Sequence, residues 1–262
     1  MSFFEEKKIQ KQLKVAVCLP LNEPARDFIR MLGAAGHTPL EKELPAALAM
    51  LEQGEVDFLV NGAVDCYRFA ALVDGWAKKK NPKATSGEVS VFERKDSERL
   101  VFITDSAVHL RPSLPEKVAL LESAAKLAKA CGVAQPNAAG VAAVEKVDPF
   151  QPATVEAAAL AKMSQIGQLK GFTFDGPLAL DLIMSSRAAE IKKVNSPVAG
   201  NSDILLAPDR ETARLMEDAL VYCGKAKVGR VILGGVRPVP FNPPADSAAS
   251  RMNSLLLATL LV

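Results

Sequence analysis

Residues 204–235 read ILLAPDRETARLMEDALVYCGKAKVGRVILGG, and this stretch decides the fold class. A short apolar run, Ile204–Leu206, meets Pro208-Asp209, where Asp209 is placed to cap the free N–H groups of a following helix. Arg210–Tyr222 reads as that helix, and Val228–Leu233 is again apolar and β-branched until Gly234-Gly235 ends it. Strand, helix, strand is the unit of a parallel sheet covered by helices.

Outward from this unit the alternation continues. Further strands are expected at Lys14–Leu19, Val56–Val60, Val89–Phe92, Leu100–Ile103, Gly140–Val144 and Phe172–Phe174. Helices are expected at Glu23–Ala35, Ala46–Gln53, Cys66–Lys79, Pro115–Ala130, Ala153–Gln165, Pro177–Glu190 and Ser247–Leu260. The strands around 89–103 have no helix between them and read as a hairpin. Asp175-Gly176-Pro177 is expected to end a strand and open a helix, since proline is tolerated in a first helical turn. A proline-rich loop (Pro238, Pro240, Pro243, Pro244) follows Gly234-Gly235, and Asp246-Ser247 stands where a cap for the last helix belongs. In parallel α/β proteins ligands gather at the carboxyl ends of strands, which makes this loop a candidate site.

Composition excludes several function classes. Lysine and arginine number 32 against 30 acids, a surplus too small to point to a nucleic-acid partner, and aromatics at 5% are too few for base-stacking platforms. Met1–Lys14 lacks the apolar core of a secretory signal, and the apolar tail Met252–Val262 is far short of the ~20 residues that span a bilayer. Cys18, Cys66, Cys131 and Cys223 contain no close pair, so neither a zinc knuckle nor a redox motif is expected. Free thiols and a cytoplasmic location are the expectation, with no membrane partner. No G-x-G-x-x-G, P-loop or G-x-S-x-G motif occurs, and His37 and His109 have no metal-ligand partner at useful spacing.

Longer stretches carry more. DGPLALD (Asp175–Asp181), AAEIK (Ala188–Lys192), SPVAG (Ser196–Gly200), DILLAPD (Asp203–Asp209), ALVY (Ala219–Tyr222), AKV (Ala226–Val228), VILGG (Val231–Gly235) and ADSAAS (Ala245–Ser250) occur in this order. Upstream lie FITD (Phe102–Asp105), AAVE (Ala142–Glu145) and PATVEAAAL (Pro152–Leu160). Together they resemble the phosphate acetyltransferase/phosphate butyryltransferase family, closest to its butyryl-type branch, over roughly residues 55–262. The resemblance implies a two-domain, three-layer α/β/α fold with mostly parallel sheets, of the isocitrate/isopropylmalate dehydrogenase-like type. The expected domains are 1–112 with 238–262, and 113–237, bordering a cleft. It implies transfer of a short acyl group between coenzyme A and phosphate, with acyl phosphate as the other partner, no metal or other cofactor, and a homodimer.

The site implied by the resemblance has Asp246 as the base that takes the coenzyme A thiol proton. Ser247, Gly234, Gly235, Arg237, Ser196, Gly200 and His109 are the implied substrate-binding positions. By residue type alone, Asp246 and Ser247 also read as helix-start residues, Gly234-Gly235 as a turn after a strand, and Ser196 and Gly200 as a domain-edge turn. The chain departs from the family pattern at polar positions. Pro243-Pro244 stand where the family has Ser-Arg, Asn61 where it has Lys, His109 where it has Asn, and Ala213-Arg214 where it has Gly-Asn; Asp218 replaces a lysine. A proline can hold no charge, so Arg237, Arg251 or Arg214 would have to supply the lost cation. The alternative is a relative that binds coenzyme A or an acyl ligand without turnover. A metal-dependent dehydrogenase of the same broad fold is a third reading, opposed by the lack of clustered ligand residues in the sequence.

Overall fold

The apolar runs assemble into two sheets. A computed structural model, which describes residues 2–94 and 99–262, begins with α1 (Phe3–Glu6), β1 (Lys14–Cys18), α2 (Glu23–Ala34), β2 (Thr38–Lys42), α3 (Leu44–Gln53), β3 (Phe58–Asn61) and α4 (Cys66–Lys80). The hairpin β4 (Gly87–Glu93) and β5 (Leu100–Thr104) follows, then α5 (Leu114–Ala130), β6 (Asn137–Val141), α6 (Pro152–Gln165) and β7 (Thr173–Leu178). Next come α7 (Leu180–Met184), α8 (Ser186–Lys192), β8 (Ile204–Leu206) and α9 (Arg210–Asp218), which runs into a π-helical turn at Ala219–Cys223. β9 (Lys227–Leu233), β10 (Val239–Pro240) and α10 (Ala248–Thr259) complete the chain.

The smaller sheet has the order β2-β1-β3 and is parallel throughout. The larger has the order β10-β9-β4-β5-β8-β6-β7, with β5, β8, β6 and β7 parallel and β4 antiparallel to both β5 and β9. β9 therefore runs with β5, and the carboxyl ends of β5, β8 and β9 share one edge. β4 and β9 pair from Gly87↔Leu233 to Glu93↔Lys227, which ties residues 87–93 to a strand far downstream in the chain.

Helices cover both faces of the larger sheet. On one face Leu255, Leu257 and Ala258 of α10 and Leu120, Leu121 and Ala124 of α5 pack against Val89, Val91 and Val231. On the other, Leu182 and Ile183 of α7 and Ala213 of α9 pack against Ile103 and Leu205. Fully burying each such Leu or Ile contributes about 1.5–3 kcal/mol. The cores cross between the sheets: Val15, Val17 and Phe58 share a cluster with α10, and Leu59 and Phe69 share one with Val239 and Phe241. The segment 238–262 thus knits the small sheet to the large one. No helix among the described residues is long and apolar enough to cross a membrane.

The expected hairpin forms, with Ser90 opposite Ile103. The expected helix Pro177–Glu190 does not. β7 continues through Gly176-Pro177 to Leu178, and the helical residues split into α7 and α8 at Ser185. β7 is the edge strand, where a missing N–H breaks no ladder, and burial of Pro177 and Leu178 holds the extended form. The strand expected at Gly140–Val144 lies instead at Asn137–Val141, and β2 arises from TPLEK, which has no apolar alternation because both faces are half-exposed.

Candidate active site

Phe241 extends the pairing of β10 by donating its N–H to the Arg230 carbonyl (3.0 Å), and the chain then leaves the sheet. Ser247 caps α10, its Oγ accepting from the Ser250 N–H at 3.1 Å. Asp246 is not part of the cap, and its side chain turns inward. Asp246 Oδ2 accepts from Arg230 Nη1 (2.5 Å) and from Asn242 Nδ2 (2.9 Å).

The ground beneath this loop is charged and buried. Arg230, on β9, also donates through Nε to Glu217 Oε2 of α9 (3.2 Å), and both side chains are fully buried. Ser90 faces Arg230 across the β4–β9 ladder and donates to Glu88 Oε1 (2.6 Å), while Ser106 Oγ donates to Glu88 Oε2 (2.9 Å). Three carboxyl groups thus surround one guanidinium. Burial, and then the charge of Glu217, push the Glu88 carboxyl well above the ordinary carboxylate range. Burial raises Glu217 as well, with Arg230 pulling the other way. Burial works against the charge on Arg230, but Asp246, Glu217 and Glu88 outweigh it and hold the guanidinium protonated.

A second arginine lies under the two prolines. Arg251 of α10, fully buried, donates to the carbonyls of Asn61, Pro244 (3.1 Å) and Pro243 (3.4 Å). Burial brings its guanidinium down to about 10, and its Nε has no hydrogen-bond partner among the described residues. Asn61 Nδ2 donates to the Asn242 carbonyl (3.0 Å), and Asn22 Nδ2 donates to the Pro244 carbonyl (2.7 Å). Asn22 also caps α2, so the loop runs between the positive ends of α2 and α10, which favour anions. Arg210 of α9 stacks 4.2 Å over the Tyr67 ring of α4.

The carboxyl edge of the larger sheet is built differently. Asp105 accepts from the N–H groups of Glu88 (3.0 Å), Ala107 (3.0 Å), Val108 (3.1 Å) and His109 (2.8 Å), which fixes the loop after β5. Burial raises the Asp105 carboxyl against these four donors. His109 Nε2 lies 2.7 Å from the Ser86 carbonyl. Gly234 follows β9 at φ +80°, and a Cβ there would meet the Thr85 carbonyl at 2.0 Å, so only glycine makes this turn. Gly234, Gly235, Arg237, Glu122 and Lys126 border an open groove of about 370 Å³.

Residues 30–259 match the family described as phosphate acetyl/butaryl transferase. The chain belongs to this family. It is 35% identical to a phosphate butyryltransferase of Clostridium acetobutylicum, a match over 94% of this chain and 81% of that one. It is 38% identical to a phosphate acetyltransferase of Thermotoga maritima, over 85% of this chain and 76% of that one. In fold it is similar to a branched-chain phosphotransacylase from Enterococcus faecalis, with TM-score 0.80 at 20% identity, covering 95% of this chain and 99% of that one. An isocitrate dehydrogenase from Methylococcus capsulatus shares the fold at TM-score 0.52 and 10% identity, covering 94% of this chain and 83% of that one. The expected dehydrogenase-like α/β architecture is therefore present.

Within this transferase-family fold the expected site residues fall into three places. Asp246 and Ser247 sit together beside Asn242 and Arg230. His109, Gly234 and Gly235 meet around Ser86, with Arg237 on the adjoining groove. Ser196 accepts from the Val198 N–H, and Gly200 (φ +66°) packs on Ser186; both belong to the turn leading to Asp203, which pairs with Arg99 and the Asn137 N–H at the amino ends of β5, β6 and β8. They are not brought to the other two groups. None of the three arginines named as replacement cations hydrogen-bonds Asp246: Arg251 donates to the carbonyls of the prolines and acts on Asp246 through charge alone, Arg214 is held by Asp218 (3.0 Å), and Arg237 borders the separate groove. Arg230 reaches it instead. A lone charge inside the apolar run VGRVILGG was the available signal, and a polar Glu217 four residues after Ala213 on a buried helical stripe was another.

Proposed function

We propose that the protein is a phosphate acyltransferase catalysing acyl-CoA + phosphate = acyl phosphate + CoA. The observation that carries this reading is the family match over residues 30–259, together with the relatives named for that chemistry. In the direction that consumes acyl phosphate, the coenzyme A sulfur bonds to the acyl carbon, the carbon–oxygen bond to phosphate breaks, and phosphate leaves. Asp246 takes the thiol proton. Both of its hydrogen bonds fall on Oδ2, which leaves Oδ1 to accept. Ser247, exposed at the start of α10, offers a hydroxyl beside it, and the N-termini of α2 and α10 favour the anionic substrates. Gly234, Gly235, His109 and Arg237 belong to the part of the cleft that holds the rest of coenzyme A. No metal or redox cofactor enters the step.

The working form in this reading is a homodimer. Leu180 of α7 and Leu215 of α9 stand exposed on the rim of an apolar groove of about 440 Å³ floored by Val101, Ile103 and Leu205. Such a surface is suited to a second copy of the chain. The four cysteines are free thiols, which suits a cytoplasmic setting. Thiol release from acetyl-, propionyl- and butyryl-CoA, with and without phosphate, tests the reading. Phosphate-dependent release from at least one of them is expected; none from any would overturn it.

A further inference from the structure

We infer that Arg230 is the positioning residue for Asp246, clamping the carboxylate through Oδ2 so that Oδ1 faces the substrate. The inference rests on the acyltransferase reading of the site. Its ground is the geometry of one buried cluster. A guanidinium is a rigid fork, and here its donors are divided between two elements: Nε to Glu217 on α9, Nη1 to Asp246 on the loop. Glu217 thus fixes the fork from behind, and the fork fixes the loop in front. Asn242 completes the clamp, because its Nδ2 bonds both Asp246 Oδ2 (2.9 Å) and Ser254 Oγ (3.0 Å), and Ser254 Oγ in turn accepts from the Arg230 N–H (2.8 Å). Pro243 and Pro244 are held through their carbonyls, and Asp246 is the charged side chain by which this stretch is anchored.

Arg230 is fully buried and touches no substrate, so its effect on turnover has to pass through Asp246. The charged groups that act on the cluster are Glu88 from β4, Asp105 after β5, Glu217 and Arg214 from α9, and Arg251 from α10.

The test compares Arg230→Gln, Arg230→Lys and Asp246→Asn in phosphate-dependent thiol release, with calorimetric coenzyme A binding as the control. Partners that orient a reacting group are typically worth ~10–100-fold in activity. Arg230→Gln is expected to lower kcat by about that factor and leave KM nearly unchanged. Arg230→Lys keeps the charge and is expected to restore most of kcat. Adding Arg230→Gln to Asp246→Asn should remove nothing further. An unchanged kcat in Arg230→Gln, a loss that falls on KM alone, or a further loss in the double variant overturns the inference while the functional reading stands. Absence of turnover in the unaltered protein overturns the functional reading and this inference with it. If Arg230→Gln does not fold, Arg230→Lys decides: kcat as low as in Asp246→Asn overturns the inference, and most of kcat retained with KM unchanged supports it.

Discussion

The two ends of the segment 234–247, glycines and an arginine at one and an aspartate and a serine at the other, are built on different ground. At Gly234–Arg237 the chain turns in the open, next to an exposed arginine and a groove shared with α5. At Asn242–Ser247 the chain rests on two fully buried guanidinium groups, and one of them is enclosed by three carboxyl groups. Burying that many charges is unfavourable unless every partner is held in place. An exposed turn can serve a ligand by shape and backbone alone, whereas a buried ionic cluster fixes one side chain in one orientation. In the proposed reading the first end holds coenzyme A and the second carries the proton transfer.

The contrast can be broken or sharpened by substitution. Asp246→Asn should have the largest effect, a loss of about 10²–10⁴ in kcat, the range for a lost general base, with calorimetric coenzyme A affinity retained. A variant that keeps its turnover would move the proton acceptor elsewhere. Glu217→Ala should come next, as a stability effect. It leaves Arg230 short of a partner and should destabilise by ~3 kcal/mol in denaturant unfolding, the low end for a broken buried pair, because neighbouring Glu88 can take up the negative charge.

Glu88→Gln tests the cluster through pH. Its folded-state carboxyl is raised, so its contribution to stability is complete below the ordinary carboxylate range and is lost as pH rises through the folded value. The amide keeps the neutral shape. Thermal unfolding followed across pH should show a flatter decline toward alkaline pH and a higher Tm there than in the unaltered protein; an unchanged slope would show that the proton is held on another group. Arg237→Ala should do least: a change in stability within about 0.5 kcal/mol, as for an ordinary surface position, and an unchanged kcat, with any effect confined to KM for acyl-CoA.

Much of this was legible in the chain because it rests on local rules. The Asp209 cap, the hairpin at 87–104 and the strand Val228–Leu233 each follow from residues within one turn or one run. What failed depended on neighbours. Pro177 stays extended because β7 is an edge, and the edge is a property of the whole sheet. Asp246 looks like a cap in sequence, yet Ser247 alone does the capping, and Asp246 is claimed by a guanidinium 16 residues upstream. The family resemblance pointed to the loop and to the missing arginine at Pro244, but no pattern says that a strand residue on the adjacent β9 will reach the same carboxylate. Gly200 shows the converse: a turn there was readable, while its place beside the amino ends of the strands was not.

Hydrogen exchange read peptide by peptide, with and without coenzyme A and phosphate together, tests the central claim most directly. Catalysis over the buried cluster predicts protection at residues 61–64 and 245–251, with a smaller effect at 234–237. Protection confined to 234–237 and 122–126, with the loop after β10 unchanged, would contradict it.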